Sequence, residues 1–220
     1  MDRKAVLLVH GFASSGQSTK ATFFQTRLKP LAWVEFHAID MHPTALDFEY
    51  TTITGQINRL RQYILDHDLE SLCLIGSSLG GLVSLHYAHR FGGVERMLLL
   101  APMTVVHRAW GPEEELDHWK KAGAVPVFHY AFQRELPLRY AFHSDGLLYR
   151  QPVPPAAPAL IVHGRNDDAV PADDSRAYAA AFADRVRLIE VDAGHDLNDH
   201  LPFIWEQGTR FLLDQTGPAS

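Results

Sequence analysis

A serine, an aspartate and a histidine with the surroundings of a nucleophilic catalytic site occur in that order along the chain. Ser78 is the central residue of a Gly-x-Ser-x-Gly sequence at positions 76–80. A serine hydroxyl is a weak nucleophile until a neighbouring base removes its proton, and that base needs an orienting carboxylate. His195 and Asp167 are the residues that could fill these two roles. The combination predicts acyl transfer through a covalent intermediate on Ser78.

The Gly-x-Ser-x-Gly sequence has the context that its chemistry requires. An apolar run at 72–75 precedes it and a helical pattern begins at Leu79, which predicts a tight strand-to-helix turn at Ser78. The register of the motif selects Ser78 rather than Ser77. Glycines at positions 76 and 80 are expected because a Cβ there would collide with the neighbouring strand and helix.

The candidate acid and base each follow a predicted strand. Asp167 lies in H-G-R-N-D-D-A-V-P at 163–171, and His195 lies in D-A-G-H-D at 192–196. Ligands of parallel α/β sheets bind at the carboxyl ends of the strands, where both loops and Ser78 fall. The sequence therefore predicts that the three side chains meet at one edge of a sheet.

Other residues could in principle take these roles. Asp168 is adjacent to Asp167, and only one of the two can face the histidine. His195 follows a glycine, which allows a tight turn and favours it over His200. His163 ends a strand and is interpreted as a packed structural residue.

Backbone amides are predicted to bind the oxyanion of the tetrahedral intermediate. Leu79 follows the nucleophile at a helix N-terminus, where the dipole favours negative charge, and Phe12 lies in the H-G-F loop after the first strand. Loss of one such donor typically costs about 3 kcal/mol of transition-state stabilisation. His10 is interpreted as a ring packed beneath this loop.

Apolar strands alternate with helical patterns along most of the chain. This order predicts a mostly parallel sheet of about six strands with helices on both faces. The predicted strands are 6–9, 34–39, 72–75, 96–100, 159–163 and 186–191, and the predicted helices are 19–28, 53–66, 79–91, 173–182 and 201–213. Residues 1–102 and 156–215 would form the core, and residues 216–220 a frayed end.

Residues 103–155 interrupt the alternation and are rich in aromatic side chains. We interpret them as a cap inserted over the active site, with an alternative in which the aromatics form the core of the insertion itself. The candidates for lining the substrate pocket are the aromatic residues Trp110, Trp119, Phe128, Tyr130 and Phe142.

Composition argues against several other classes of function. The chain has 220 residues and a net charge of −6, without a basic run, which disfavours nucleic acid as a partner. No apolar segment approaches the roughly 20 residues of a membrane span. No metal is predicted, because His86 and His89 lack a third ligand, and no cofactor is required. The single Cys73 is expected to be buried and fits a reducing, cytoplasmic location.

These motifs together resemble the α/β-hydrolase superfamily. The resemblance runs from residues 10–12 through 76–81 to 163–167 and 194–195, and covers the chain apart from the insertion. It implies the α/β-hydrolase fold. G-S-S-L-G-G and H-G-x-x-D-D-x-V-P are further similar to small esterases of the YqiA type and to the group of the mitochondrial acyl-protein thioesterase that also cleaves acyl glucuronides.

The expected function is hydrolysis of carboxylic esters, with thioesters as an extension, on a small-molecule substrate. A carbon–carbon bond hydrolase acting on diketone-like substrates would use the same three residues. A third hypothesis is a hydrolase-like protein that binds a small ligand without turning it over. Dehalogenation is disfavoured because it needs a carboxylate in place of Ser78.

Overall fold

The computed structural model describes residues 3–70, 72–106 and 112–213. Strands and helices alternate along most of this length, as the periodicity of the apolar residues requires. In chain order the elements are β1 (Lys4–Val9), α1 (Thr19–Leu28), β2 (Val34–Ile39), α2 (Ala45–Glu49), α3 (Ile53–Asp66), β3 (Leu72–Ser77), α4 (Leu79–Phe91), β4 (Val94–Leu100), α5 (Glu113–Ala122), β5 (Ala124–His129), β6 (Arg134–Arg139), α6 (Ala141–Gly146), β7 (Ala159–Gly164), α7 (Ala172–Ala181), β8 (Val186–Val191) and α8 (Leu201–Leu213).

A six-stranded sheet is the centre of the described structure. Its strand order is β2-β1-β3-β4-β7-β8, and every neighbouring pair is parallel. This confirms the prediction of a mostly parallel sheet of about six strands. The helix α2 was not predicted. It has five residues, too few for a periodic pattern, and begins with a capping box between Thr44 and Asp47.

Helices cover both faces of the sheet. Val6 and Leu8 of β1 contact the layer that contains α1 and α8, whereas Ala5, Leu7 and Val9 contact the layer that contains α2, α3 and α4. Side chains alternate between the faces of a strand, so a sheet covered on both sides has strands that are apolar throughout. Among the described residues, no helix combines the length and the apolar character needed to cross a bilayer.

Cys73 on β3 is buried, as predicted. Its thiol donates a hydrogen bond of 3.4 Å to the carbonyl oxygen of Leu212 on α8. Burial raises the pKa of Cys73 to about 11. The thiol therefore stays protonated and packs as a small apolar side chain.

The insertion between β4 and β7 contributes to the core of the molecule. It contains α5, the antiparallel hairpin β5–β6 and α6. Trp119 and Phe142 are buried in the same apolar cluster as the residues of α3 and α4, and Trp119 Nε1 donates to the Leu138 carbonyl at 2.8 Å. At the tip of the hairpin, the Tyr130 amide donates to the Ala13 carbonyl at 3.0 Å, which ties the insertion to the loop after β1.

Asp145 on α6 anchors the insertion to the first turn of α3. Its carboxylate accepts hydrogen bonds from the Thr54 amide at 2.8 Å and from the Thr54 hydroxyl at 2.6 Å. The hydroxyl of Tyr149 lies 2.7 Å from Thr54 Oγ1. The amides of a first helical turn have no partner within the helix, so Asp145 satisfies one of them from outside.

Replacing this carboxylate tests the anchor. We expect Asp145→Ala to lower the free energy of unfolding by about 1–3 kcal/mol, because it leaves the Thr54 amide without its charged acceptor. Asp117→Ala, which removes an exposed carboxylate from α5, should change it by less than about 0.5 kcal/mol. Urea unfolding of the two variants measures the difference, and equal effects would contradict the anchor.

Candidate active site

Ser78 is held in a strained conformation between β3 and α4. Its backbone angles are φ 53° and ψ −119°, a region that residues other than glycine rarely occupy. Three hydrogen bonds hold it there. The Ser78 amide donates to the Leu100 carbonyl at 2.9 Å, and its carbonyl accepts from Gly81 at 2.9 Å and from Met103 at 3.1 Å. A positive φ at a serine between a strand and a helix is typical of a nucleophile elbow, and Ser78 lines the cavity described below.

Two glycines allow the close packing around this turn. A Cβ at Gly76 would lie 2.7 Å from the carbonyl oxygen of Gly80, and a Cβ at Gly80 would collide with the carbonyl oxygen of Val9. The start of α4 therefore lies directly against the end of β1. The same approach brings the loop after β1 to Ser78, since a Cβ at Gly11 would be 3.2 Å from Ser78 Cβ.

His195 connects Ser78 to Asp167. Its Nε2 lies 3.0 Å from Ser78 Oγ, and its Nδ1 lies 2.7 Å from Asp167 Oδ2. A carboxylate can only accept, so Nδ1 carries a hydrogen and donates to Asp167. The Nε2 lone pair of a neutral ring then faces the serine hydroxyl. This is the arrangement in which a histidine can accept the serine proton.

Close contact between two loops brings the acid to the base. Gly164 ends β7, and a Cβ there would collide with the carbonyl oxygens of Ala193 and Gly194 in the loop after β8. The Asn166 amide donates to the Ala193 carbonyl at 3.0 Å, and its side chain donates to Asp192 at 2.8 Å. These contacts fix the loop that carries Asp167 against the loop that carries His195.

The Asp167 carboxylate is fully buried and has four hydrogen-bond donors. Its Oδ1 accepts from the amides of Ala169 at 2.9 Å and Val170 at 2.8 Å, and its Oδ2 accepts from His195 and from His163. Burial alone would raise the pKa of Asp167, but hydrogen bonds from His163, His195 and Val170 outweigh it and hold the pKa well below its usual range. The carboxylate therefore stays ionised.

The structure distinguishes between the alternatives that the sequence left open. Asp168 is exposed, and the carboxylate that reaches the imidazole is that of Asp167. His200 lies in a short 3-10 helix, Asn198–His200, beyond the loop of His195. His163 is buried, as expected of a packed residue, but it also contacts Asp167, which the sequence analysis missed.

The two predicted oxyanion donors lie beside Ser78. Leu79 is the first residue of α4, so its amide has no partner within the helix, and Phe12 lines the cavity in front of the serine. His10 packs beneath the loop that carries Phe12. Its Nδ1 donates to the Gly11 carbonyl at 2.7 Å, and its Nε2 accepts from the Met41 amide at 2.9 Å. The His10 ring thus connects this loop to Met41 and is not among the residues that line the cavity.

A cavity of about 1020 Å³ opens in front of Ser78 and His195. Two groups of its lining residues are called the polar side and the apolar side below, and Ala169, Val170, Pro171 and Asp174, after β7, also line the cavity. The polar side is formed by the loop after β1, the start of α1 and the loop after β8, with Ser14, Ser15, Gln17, Ser18, Thr19, Lys20, Asp196 and Asn198. The apolar side is formed by the loop after β4 and the hairpin tip, with Met103, Val105, Val106, Tyr130 and Ala131.

Of the described aromatic residues that were predicted to line the pocket, only Tyr130 lies at the cavity. Trp119 and Phe142 are buried in the main core cluster together with residues of α3 and α4, and not in a separate core of the insertion. Phe128 is 46% exposed on the hairpin and contacts the Tyr130 ring. Alternation along β5 explains the exposure of Phe128, because the next residue, His129, is buried. Trp110 lies outside the described residues, as do the last residues, 216–220.

The polar side of the cavity was not predicted as a site. Its only signal in the sequence is the Ser/Gly-rich loop at 13–18, which is equally typical of a solvent-exposed turn. Lys20 is a positively charged residue on this side of the cavity. Burial lowers the pKa of its ammonium group, and the charge of Asp196 opposes that shift.

The shifted pKa of Asp167 predicts the sign of a stability change with pH. The pKa is lower in the folded chain than the value of about 3.9 expected when unfolded. The contribution of the ionised carboxylate to the free energy of unfolding is therefore complete above about pH 5 and is lost as the pH falls below about 4. The difference in unfolding free energy between wild type and Asp167→Asn should shrink when the pH is lowered from about 6 to about 3.

The exposed neighbour provides the control for this measurement. In the same urea titrations, the free energy of unfolding of Asp168→Asn should stay close to that of the wild type at each pH. A difference between wild type and Asp167→Asn that stays constant or grows toward low pH would show that Asp167 is not stabilised as an anion.

The parallel sheet and the strained serine turn at its carboxyl edge are features of the α/β-hydrolase fold. Sequence comparison gives the narrower assignment: residues 5–208 match the model of UPF0227, an uncharacterised protein family, and the chain belongs to this family. No curated protein matches the chain in sequence.

Solved structures confirm the fold. A proposed hydrolase from Agrobacterium vitis S4 is 20% identical, with 96% of this chain and 88% of that chain covered and a TM-score of 0.81. Est1E from Butyrivibrio proteoclasticus, with ferulic acid bound, is 19% identical over 97% and 90% of the two chains, with a TM-score of 0.77. Mouse α/β hydrolase domain-containing protein 10 is 20% identical over 93% and 88%, with a TM-score of 0.68.

Proposed function

We propose that this protein is a serine hydrolase that cleaves carboxylic esters through an acyl-enzyme on Ser78. The observation that carries the proposal is the hydrogen-bonded series from Asp167 through His195 to Ser78, which ends in a cavity large enough for a small-molecule substrate. A serine with a positioned base and an ionised orienting carboxylate is the arrangement that activates a hydroxyl for acyl transfer.

The geometry supports a two-step reaction. His195 Nε2 takes the proton of Ser78 as Oγ attacks the acyl carbonyl, and then returns it to the oxygen of the leaving group. A water molecule attacks the acyl-enzyme in the same manner and releases the carboxylic acid. Throughout the reaction, Asp167 holds Nδ1 protonated and stabilises the imidazolium that forms in each step.

The amides of Phe12 and Leu79 are proposed to bind the oxyanion. The start of α4 adds the partial positive charge of a helix N-terminus at the same place. Because these are backbone groups, side-chain replacements at Phe12 or Leu79 should alter the shape of the pocket rather than abolish the reaction. Each amide is expected to contribute about 3 kcal/mol to the transition state.

The two sides of the cavity suggest how the substrate lies. His195 must reach the leaving group to protonate it, and its neighbours in the chain, Asp196 and Asn198, belong to the polar side. The leaving group is therefore proposed to lie against the polar side, and the acyl group against Met103, Val105 and Tyr130. The hairpin of the insertion, residues 124–139, would act as the cap over the acyl group.

One comparison is chemically consistent with this assignment. Est1E holds ferulic acid, which is a carboxylic acid, and a carboxylic acid is the product that ester cleavage would release here. A thioester would pass through the same acyl-enzyme, and thioester hydrolysis is proposed as an extension of the activity.

Hydrolysis of p-nitrophenyl esters from acetate to palmitate tests the proposal. We expect turnover with an optimum at short to medium acyl chains, set by the space between the hairpin tip and the loop after β4. Ser78→Ala should reduce kcat by about 1000-fold or more, because the nucleophile is lost. Ser77→Ala is the matched control and should stay within about tenfold of the wild type.

Two outcomes would contradict the proposal. One is a folded wild-type protein that hydrolyses neither the esters nor the matching acyl thioesters. The other is turnover that persists undiminished in Ser78→Ala, since a different group would then carry the reaction.

A further inference from the structure

A second histidine contacts the carboxylate oxygen that orients the catalytic base. His163 Nε2 lies 3.1 Å from Asp167 Oδ2, the same oxygen that accepts from His195 at 2.7 Å. His163 is the fifth residue of β7, and the side chains of His163 and Asp167 are both inaccessible to solvent. The contact therefore lies in a dry region, where a hydrogen bond to a charged group is strong.

The neighbours of His163 determine which of its nitrogens carries a hydrogen. Nε2 faces two acceptors, the Asp167 carboxylate and the carbonyl oxygen of Val170 at 3.0 Å, so it must be a donor. Nδ1 lies 2.7 Å from the hydroxyl of Ser175, which is buried on α7. A hydroxyl can donate to the Nδ1 lone pair, so Ser175 allows a neutral ring with its hydrogen on Nε2.

We propose that His163, oriented by Ser175, is a positioning residue that limits how strongly Asp167 holds a proton on His195. The hydrogen bond from His163 neutralises part of the charge on Oδ2 that would otherwise stabilise the imidazolium of His195. The base then remains neutral, and able to accept the serine proton, at a lower pH than with an isolated carboxylate. This inference rests on the proposed function, because it concerns the same base.

The contact also fixes the direction of the carboxylate. The amides of Ala169 and Val170 donate to Oδ1, and His163 contacts Oδ2 together with His195. The carboxylate has no solvent to rotate into. Partners that orient a catalytic or ligating side chain from behind in this way tune it as well as position it.

A replacement of His163 that removes the donor can be compared with one that keeps it. His163→Leu fills the buried space without a donor, whereas the amide nitrogen of Gln can occupy nearly the position of Nε2. We expect the acid-side midpoint of the kcat/KM–pH profile, measured with a p-nitrophenyl ester, to rise by about one pH unit in His163→Leu. In His163→Gln it should stay within about 0.3 unit of the wild type.

Ser175→Ala provides a second variant with a smaller change in volume. It removes the group that orients the His163 ring, and it should raise the same midpoint by a smaller amount. Other titratable groups lie on the neighbouring elements. Lys20, Asp174 and Asp196 line the cavity, and Glu190 on β8 interacts electrostatically with His163. These groups are unchanged in the variants, so a difference in the acid-side midpoint between the variants reports the contact of His163 with Asp167.

The outcomes separate this inference from the proposed function. A wild-type protein inactive on every ester overturns the proposed function, and the inference with it. An active wild type whose midpoint is unchanged in both His163→Leu and Ser175→Ala overturns the inference alone, because His163 would then be only a packing residue. If His163→Leu does not fold, the midpoint of Ser175→Ala decides the question.

Discussion

The buried charge of Asp167 is the constraint on which the site depends. A carboxylate removed from water is costly unless each oxygen finds donors, and here two amides and two imidazoles supply them. This requirement explains the tight approach of the loops after β7 and β8, which Gly164 permits. It also keeps Nδ1 of His195 protonated, so that Nε2 faces Ser78. The arrangement of His195 and Ser78 therefore depends on the hydrogen bonds that the buried Asp167 carboxylate requires.

The serine turn is a second constraint, and the parallel sheet satisfies it. Ser78 has a positive φ that the local sequence does not favour, so its conformation depends on partners from elsewhere in the chain. Those partners lie at Leu100 and Met103, at and beyond the end of the neighbouring strand β4. The sheet therefore stabilises the conformation of Ser78, and the glycines bring the loop after β1 beside it.

Local signals predicted much of this structure. The helices 19–28, 53–66, 79–91 and 201–213 have the predicted bounds, and each is at least ten residues long. The three candidate residues come together because all follow parallel strands. Side-chain directions in the insertion were not predictable. Trp119 and Phe142 are buried in the core because α5 and α6 pack on it. This packing depends on tertiary contacts and not on the local sequence. The contact of His163 with Asp167 likewise depends on the conformation of the intervening loop.

Covalent labelling tests most directly whether Ser78 is a nucleophile activated by His195. The full-length protein would be treated with a fluorophosphonate, its mass measured, and the modified peptide sequenced. A single adduct on Ser78 is predicted, with little labelling in His195→Gln because the base is lost. An unmodified folded protein, or an adduct on a residue other than Ser78, would contradict the account.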